Sequence, residues 1–300
     1  MMGTFDSSRY KNLSDEKAHA ILVRGEALVF KTAISVISSG TDIFAIANAC
    51  LSIRESYKIM EQCEKIGKVK KWESDLLKKE FDNGTKFGMG VYMLYLSVLP
   101  SKILTLLEWI GFKGDRDQGL KLLYEASNSD TARSIMSNWF AMAYHFIFQF
   151  QFGAVGEAEG IEIELTDRHL AKLIKLFPNG VLIRFNQGKS AQIRGQLENA
   201  IEYFAPVEVG WTNFSHFCYW DLYWCHGMNG NFQMAAQFAE KLINESAWSP
   251  AIYTWMQAVA LLAIDNNAGT GDTNSVNLAT RNQQFVITTI KMRIKKAKTY

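Results

Sequence analysis

The chain has 300 residues, of which 48% are hydrophobic and 21% are charged, a composition that excludes wholesale disorder. The formal net charge is only +2, so no broad basic surface for nucleic acid is expected. Only 4 prolines occur, and because proline interrupts helix interiors and central strands, long helices are favoured over a β-sandwich.

Cysteine usage and the N-terminal sequence indicate a cytoplasmic protein. The 4 cysteines form no C-x-x-C pair, and the first residues contain no apolar segment of the kind found in a secretory signal. We therefore expect reduced cysteines. No uncharged apolar run reaches the roughly 18 residues of a membrane span. The nearest runs, residues 87–100 and 139–153, are predicted to be buried helices.

Helical periodicity begins after a short polar terminus. Residues 1–14 show no apolar pattern and are predicted to be flexible. Residues 15–37 carry apolar side chains at helical spacing, with Ser14 as the expected N-cap. A second amphipathic helix is predicted from about Asp42, so the chain opens with two helices.

Charged residues and glycines mark the next segments. Residues 65–80 are highly charged and lead to Asp82-Asn83-Gly84, which predicts a turn. The glycines at 84, 88 and 90 are predicted to allow close helix packing, since no strand and no G-x-G-x-x-G pattern accompanies them. Pro100 begins another predicted helix. The acids at 115 and 117 begin the one after it, where they complement the helix dipole.

Beyond Arg133 the pattern is helical almost throughout. A long aromatic helix is predicted to Phe152, followed by a glycine-containing break over residues 153–164. Helices and short turns then alternate up to residue 264. The polar residues that follow predict a linker.

A repeat lies within residues 181–249. The positions that define a tetratricopeptide repeat recur there 35 residues apart, near the roughly 34-residue period of that repeat. Small residues at these positions let two helices approach closely, and large ones fill the space beside them. The residues concerned are Gly188, Gly195, Ala200 and Phe204 in the first repeat and Gly230 and Ala235 in the second.

These patterns predict an all-α fold, an α-solenoid of helical hairpins with degenerate tetratricopeptide repeats. The repeat domain is expected over residues 15–264, with a polar linker and a basic tail over residues 265–300.

Several longer motifs resemble the tetratricopeptide repeat protein 39 family. They are Leu96-Ser-Val-Leu-Pro-Ser-Lys-Ile-Leu, Gly111-Phe-Lys-Gly-Asp-Arg-Asp-Gln-Gly-Leu120, Cys218-Tyr-Trp-Asp-Leu-Tyr-Trp-Cys225 and Trp248-Ser-Pro-Ala-Ile-Tyr253. Arg54-Glu-Ser-Tyr57 and the final Arg293-Ile-Lys-Lys-Ala-Lys-Thr-Tyr300 look closest to the C-type branch. Residues 265–290 fit the family poorly, and family members usually begin earlier and continue into further repeats.

The resemblance implies an adaptor or scaffold and supplies no catalytic residues. One branch of the family is tied to cilium assembly and another to lipid metabolism and receptor turnover. Related fungal proteins act in inclusion-body clearance and are linked to the mitochondrial outer membrane. We therefore expect a non-enzymatic scaffold for protein–protein interaction in cilium assembly. A lipid- or mitochondrial-membrane-associated adaptor in lipid homeostasis or inclusion-body clearance is the alternative.

Two patterns look chemical but are predicted to be structural. Gly188-Lys189-Ser190 matches the end of a nucleotide-binding loop, yet Ile183 stands where that loop needs its first glycine. His216, Cys218, Cys225 and His226 are metal-ligand types, but on one helix His216 points away from the face that the two cysteines share. We therefore predict no catalytic, cofactor or metal site.

The repeat register predicts a binding groove instead, because positions 2, 5, 6, 9 and 12 of the first helix in each tetratricopeptide repeat line the concave surface. These positions hold Leu182, Phe185, Asn186, Lys189 and Gln192, then Phe217, Trp220, Asp221, Trp224 and Gly227. One cation is too few to hold a chaperone's C-terminal carboxylate, so a largely apolar peptide or helix is expected. The predicted contact residues are Phe185, Lys189, Gln192, Trp220, Asp221 and Trp224. The alternative is that the two tryptophans only pack against the neighbouring repeat.

The C-terminal tail adds a second hypothesis about the partner. Five lysines and arginines and no acid occur among residues 291–300. A solvated basic end is the simpler interpretation, and contact with an anionic membrane is the other.

Overall fold

Helices are the only regular elements in the computed structural model, which describes residues 7–39, 43–97, 99, 105, 108, 114–149, 163–205 and 212–268. The all-α prediction is therefore confirmed. The chain divides into two units, Met1–Leu173 and Ile174–Tyr300. None of the described helices combines the length and the apolar character that a transmembrane span requires.

The first unit is a helical assembly around one apolar core. Its helices are α1 (Ser7–Lys11), α2 (Asp15–Ser39), α3 (Ile43–Val69), α4 (Asp75–Ser97), α5 (Arg116–Ser127) and α6 (Ala132–Ala143), which continues as a π-helix (Tyr144–Gln149). In sequence, α7 (Ile163–Leu176) spans the boundary between the units. Buried apolar side chains from α2 to α6 form one contiguous cluster. Asp115 caps α5 by accepting a hydrogen bond from the Gln118 amide at 2.9 Å, so a helix starts where the acids predicted it.

The turn predicted at Asp82-Asn83-Gly84 is wrong, because these residues lie inside α4. Asn83 is buried, and its Nδ2 donates to the Ala126 carbonyl at 3.2 Å and to the Thr131 hydroxyl. A Cβ atom on Gly84 would lie 2.6 Å from a methyl group of Leu22. Both residues therefore serve helix packing, which overrides their local preference for a turn.

Further sequence predictions concern residues at or beyond the ends of the described ranges. The flexible terminus is wrong for residues 7–11, which form α1, and Tyr10 accepts a hydrogen bond from Gln62 at 2.8 Å. Most of the helix predicted from Pro100 and of the break at 153–164 lies outside the described residues. The C-terminal helix continues to Ala268, four residues past the predicted start of the linker.

A buried polar chain connects the π-helix to α5, α6 and α7. His145, on the π-helix, lies with its Nε2 2.6 Å from the hydroxyl of Tyr124. The ring of Tyr124 stacks on that of His169 with 5.3 Å between centroids, and His169 Nδ1 is hydrogen-bonded to Asn138. Burial lowers the pKa of His169 to about 4, so this imidazole is neutral at physiological pH.

The second unit contains two helical hairpins and a further helix. They are α8 (Val181–Ile193) with α9 (Leu197–Phe204), α10 (Thr212–Met228) with α11 (Phe232–Glu245), and α12 (Pro250–Ala268). Gly195 and Gly230 lie in the turns within the two hairpins, with φ angles of 70° and 74°. Only glycine adopts these angles without strain, which accounts for glycine at this register.

Close approach between paired helices depends on small residues. A Cβ atom on Gly188 of α8 would lie 2.6 Å from the ring of Phe204 on α9. Ala200 is fully buried, and Ala235 at the matching position of α11 is 1% exposed. The helices of each hairpin therefore pack closely at the positions that the repeat pattern indicates.

We expect Ala200→Leu to lower the free energy of unfolding by about 1–3 kcal/mol, because three extra heavy atoms overpack a closed site. Chemical denaturation followed by circular dichroism measures this change. Ala251→Leu is the matched control, since Ala251 is exposed on α12 of the same unit. Equal stability of the two variants would contradict the close packing of α8 on α9.

Candidate docking surface

The first helices of successive hairpins, α8, α10 and α12, lie side by side. The ring centroid of Phe185 on α8 lies 5.3 Å from that of Phe214 on α10. Trp220 on α10 lies 6.3 Å from Tyr253 on α12. The Tyr223 hydroxyl donates to the Met256 carbonyl at 3.0 Å. Phe185 and Trp220, which are 35 residues apart, therefore each contact the next of these helices.

Lys189 and Asp221 form a buried ion pair between α8 and α10. Lys189 Nζ donates to Asp221 Oδ1 at 2.5 Å, and the two side chains are 2% and 3% exposed. Gln192 is also buried and donates from Nε2 to the Cys225 sulfur at 3.4 Å. The structure thus corrects the prediction that Lys189, Gln192 and Asp221 line an open groove. Each of these side chains is buried and forms a hydrogen bond with a residue on the facing helix.

The ion pair shares its enclosure with two thiols. Burial raises the pKa of the Asp221 carboxyl, and the neighbouring Lys189 ammonium opposes that rise. Burial, assisted by the Asp221 charge, raises the pKa of Cys218 to about 12 and that of Cys225 to about 11. Both thiols therefore stay protonated at neutral pH, a state in which cysteine is a poor nucleophile and metal ligand.

The histidines near these cysteines point to other partners. His216 Nε2 lies 3.9 Å from Glu245 Oε2, and the His226 ring stacks on Phe238 with 5.5 Å between centroids. Within the described ranges, no three His, Cys, Asp or Glu side chains converge as metal ligands. Lys189, the cation of the Gly188-Lys189-Ser190 string, lies inside α8 and is bound to Asp221.

Four of the exposed side chains on α8 and α10 are large and apolar, and we call these four the docking surface. They are Leu182, Phe217, Trp224 and Met228, which are 39%, 57%, 38% and 54% exposed. Trp224 packs edge-on against Tyr223 and Trp220, with centroid separations of 5.1 Å and 6.1 Å. Its ring is thus held by neighbours while part of it stays open to solvent.

The two remaining predicted groove residues are only half-buried. Trp220 lies between Trp224 and Tyr253, and Phe185 lies between Phe204 and Phe214. Trp220 therefore packs against Trp224 of the docking surface, whereas Phe185 packs between α9 and α10. Of the six contact residues predicted from the sequence, only Trp224 is prominently exposed.

The docking surface carries no charge. Helix α10 contains a single carboxylate and no lysine or arginine, and that carboxylate belongs to Asp221, which Lys189 encloses. No charged residue occurs from Ser246 to Ile264 either. Two exposed apolar residues, Met228 and Ile252, are absent from the contact residues that the sequence predicted. Ile252 stands 35 residues after Phe217, so the repeat register could have identified it.

A charged cleft of about 360 Å³ lies on the first unit beside α4 and α5. Three lysines and three acids line it together with an asparagine and a serine: Asp75, Lys78, Lys79, Asp82, Asn83, Lys86, Glu125 and Ser129. Lys78 pairs with Asp82, and Lys86 pairs with Glu125 at 2.9 Å, which lowers the pKa of that acid. The lining has no net charge with which to hold an ion.

Comparison of the sequence with known proteins identifies a matching family. The sequence model of the family described as Iml2/Tetratricopeptide repeat protein 39 matches residues 2–300. The chain is 32% identical over 270 residues to the tetratricopeptide repeat protein ttc-39B of Caenorhabditis elegans, covering 86% of this chain and 45% of that relative. It thus spans less than half the length of the relative. No solved structure matches the sequence.

We expect Lys189→Ala to lower the free energy of unfolding by about 3–5 kcal/mol, because it leaves the buried Asp221 carboxylate without a counter-ion. Asp221→Leu should be similarly destabilising.

The double variant Lys189→Met with Asp221→Leu should recover much of the loss, since an apolar pair of similar volume needs no solvation. Equilibrium denaturation of the single and double variants measures the coupling. Additive effects would show that the two side chains do not interact in the folded chain.

Proposed function

The chain belongs to the Iml2/tetratricopeptide repeat protein 39 family, and from this premise we propose that it is a non-enzymatic scaffold that binds a partner protein on the docking surface of its second unit. Helical repeats present long rigid faces, and the side chains on those faces select the partner.

The observation that carries the proposal is the uncharged apolar surface across α8 and α10. Soluble proteins rarely leave several large apolar side chains together in water unless something binds there. Phe217 and Trp224 are 57% and 38% exposed and stand seven residues apart, two turns along the same face of α10. Their spacing suits a partner that lies along the helix and buries both rings.

The chemistry of this surface defines the partner segment. With no exposed cation or acid on α10, a charged ligand gains no counter-ion and loses hydration. We infer a segment with Leu, Ile, Phe or Met on its contacting side, such as an amphipathic helix. A chaperone's acidic C-terminus is excluded from this role, because Lys189 is already bound to Asp221.

The cellular role is proposed from the resemblance of two motifs to the C-type branch. On that basis the scaffold acts in the cytoplasm, in cilium assembly. The name of the nematode relative specifies neither a partner nor a pathway.

The alternative is an adaptor at a lipid or mitochondrial membrane, in lipid homeostasis or inclusion-body clearance. Its support is the basic segment at residues 291–300, which carries five cations and no acid. Such clusters attract anionic lipid by roughly 1 kcal/mol per cation near the surface.

We expect Trp224→Ala to weaken partner binding about 30-fold, the effect of losing an interface hot spot of roughly 2 kcal/mol. The probe is a peptide selected from a display library against the full chain and titrated by calorimetry. Because Trp224 is partly exposed, its loss should lower the free energy of unfolding by less than the roughly 3–5 kcal/mol of a buried tryptophan.

Met136→Ala is the matched control, because Met136 is a comparably exposed apolar residue, 44%, in the first unit. It should leave the affinity unchanged. Equal losses in both variants, or micromolar binding of an acidic chaperone C-terminal peptide to the unaltered chain, would contradict the proposed surface.

The membrane alternative predicts that the chain sediments with vesicles containing phosphatidylserine and that removing residues 291–300 abolishes this, with binding that weakens as salt rises. Vesicles of phosphatidylcholine alone are the control. Absence of binding to the anionic vesicles would leave the protein-binding role as the only one proposed.

A further inference from the structure

Two exposed residues of α12 repeat the exposed positions of α10. Ile252 is 48% exposed and stands 35 residues after Phe217. Val259 is 40% exposed and stands 35 residues after Trp224. The left-handed glycines of the two hairpins are also 35 residues apart, so each pair occupies one register position on two neighbouring helices. We call Phe217 and Trp224 the first row, and Ile252 and Val259 the second row.

The two rows lie on parallel helices that pack side by side. Trp220 contacts Tyr253 with 6.3 Å between ring centroids, and the Tyr223 hydroxyl donates to the Met256 carbonyl at 3.0 Å. Both contacts join residues 33 apart, so α10 and α12 run in the same direction with matching levels facing each other. Packed helices have axes roughly 8–10 Å apart. The rows therefore border a groove between the two helices.

The exposed side chains along this groove are apolar. Among residues 214–228 of α10, the exposed ones are Phe217, Trp224 and Met228. Among residues 250–264 of α12, they are Pro250, Ala251, Ile252, Trp255 and Val259. Within these ranges no exposed side chain carries a charge, a hydroxyl or an amide. A charged segment would lose its hydration here and gain no counter-ion.

The spacing within the rows favours a helix as the partner. The two residues of each row are seven positions apart, or about 10.5 Å along the helix. Trp255, which is 55% exposed, divides the second row into steps of three and four residues. A coiled-coil seam has this spacing, and the helix that packs on it carries apolar residues at the same intervals. An extended strand places side chains of one face roughly 6.8 Å apart, which does not match.

We propose that the two rows together bind one amphipathic helix of a partner protein, which lies along the groove between α10 and α12. This inference rests on the docking role proposed above and specifies the partner of that same surface. The contacting side of the helix carries apolar residues at three- and four-residue intervals. About three turns are needed for it to reach both levels of each row.

A second copy of the chain and a membrane are poorer occupants. The two rows and Trp255 expose about half of the 150–250 Å² that a large side chain presents, on the order of 500 Å² together. Two folded proteins in a stable interface each bury roughly 800 Å². An anionic membrane is attracted by lysine and arginine, and neither occurs in residues 214–228 or 246–264.

The probe is a segment selected against the full chain from a display library of random 21-residue sequences. We expect the selected segments to carry apolar residues at three- and four-residue spacing and to become helical on binding, as circular dichroism of the mixture would show. Selected segments without this spacing, or with no gain of helix, would overturn the proposal.

Variants of the second row test the groove. Ile252→Asp and Val259→Asp should each weaken binding of the selected segment about 30-fold, because its apolar side would cover a carboxylate. Ile252→Ala, a milder change for the fold, should weaken binding about fivefold. Ala251→Asp is the matched control, since Ala251 is exposed and lies about 100° around α12 from Ile252. It should leave the affinity unchanged.

The outcomes separate this proposal from the docking role itself. Weaker binding in Trp224→Ala, with unchanged binding in the second-row variants, would overturn the groove and keep the docking surface. Unchanged binding in all of these variants would overturn both. Sedimentation velocity and flotation with phosphatidylcholine vesicles test the other occupants. A dimer that Ile252→Asp dissociates, or vesicle binding that it abolishes, would contradict a partner helix in the groove.

Discussion

The second unit depends on the ion pair between Lys189 and Asp221. A charge enclosed without its counter-ion is costly, so α8 and α10 are held at the separation that lets the two groups meet. In a helical-repeat protein, stability is a sum of hairpin terms and interface terms between neighbours. The Lys189–Asp221 pair contributes to the interaction free energy between the two hairpins. The same contact buries Lys189 together with Asp221, the one carboxylate of α10, so neither of these charges reaches the docking surface.

Neutrality has a consequence for how the surface selects partners. A charged groove attracts many ligands of opposite sign from a distance, whereas a neutral apolar groove discriminates by shape and by the area that is buried. Trp224 is suited to that task, because Tyr223 and Trp220 restrict its ring before a partner arrives. Little conformational freedom remains to be lost on binding.

The helical fold and the repeat register follow from the sequence, because glycines 35 residues apart and small residues between paired helices leave a local pattern. The local pattern failed at Asn83 and Gly84, where packing against Leu22, Ala126 and Thr131 outweighs a turn signal. It failed again at Lys189. Periodicity shows which side of a helix a residue occupies, but whether its side chain reaches solvent depends on a charge 32 residues away on another helix. A contact between residues so far apart in the sequence produces no pattern in the local spacing of apolar residues.

The π-helix at Tyr144–Gln149 continues directly from α6. A π-helix takes one residue more per turn than an α-helix, and each residue of an α-helix advances by about 100°. His145 contacts Tyr124 from the π-helix, and Asn138 contacts His169 from α6. Asn138 and His145 stand seven residues apart, about two helical turns, so one side of α6 and its continuation supplies both groups to the buried polar chain.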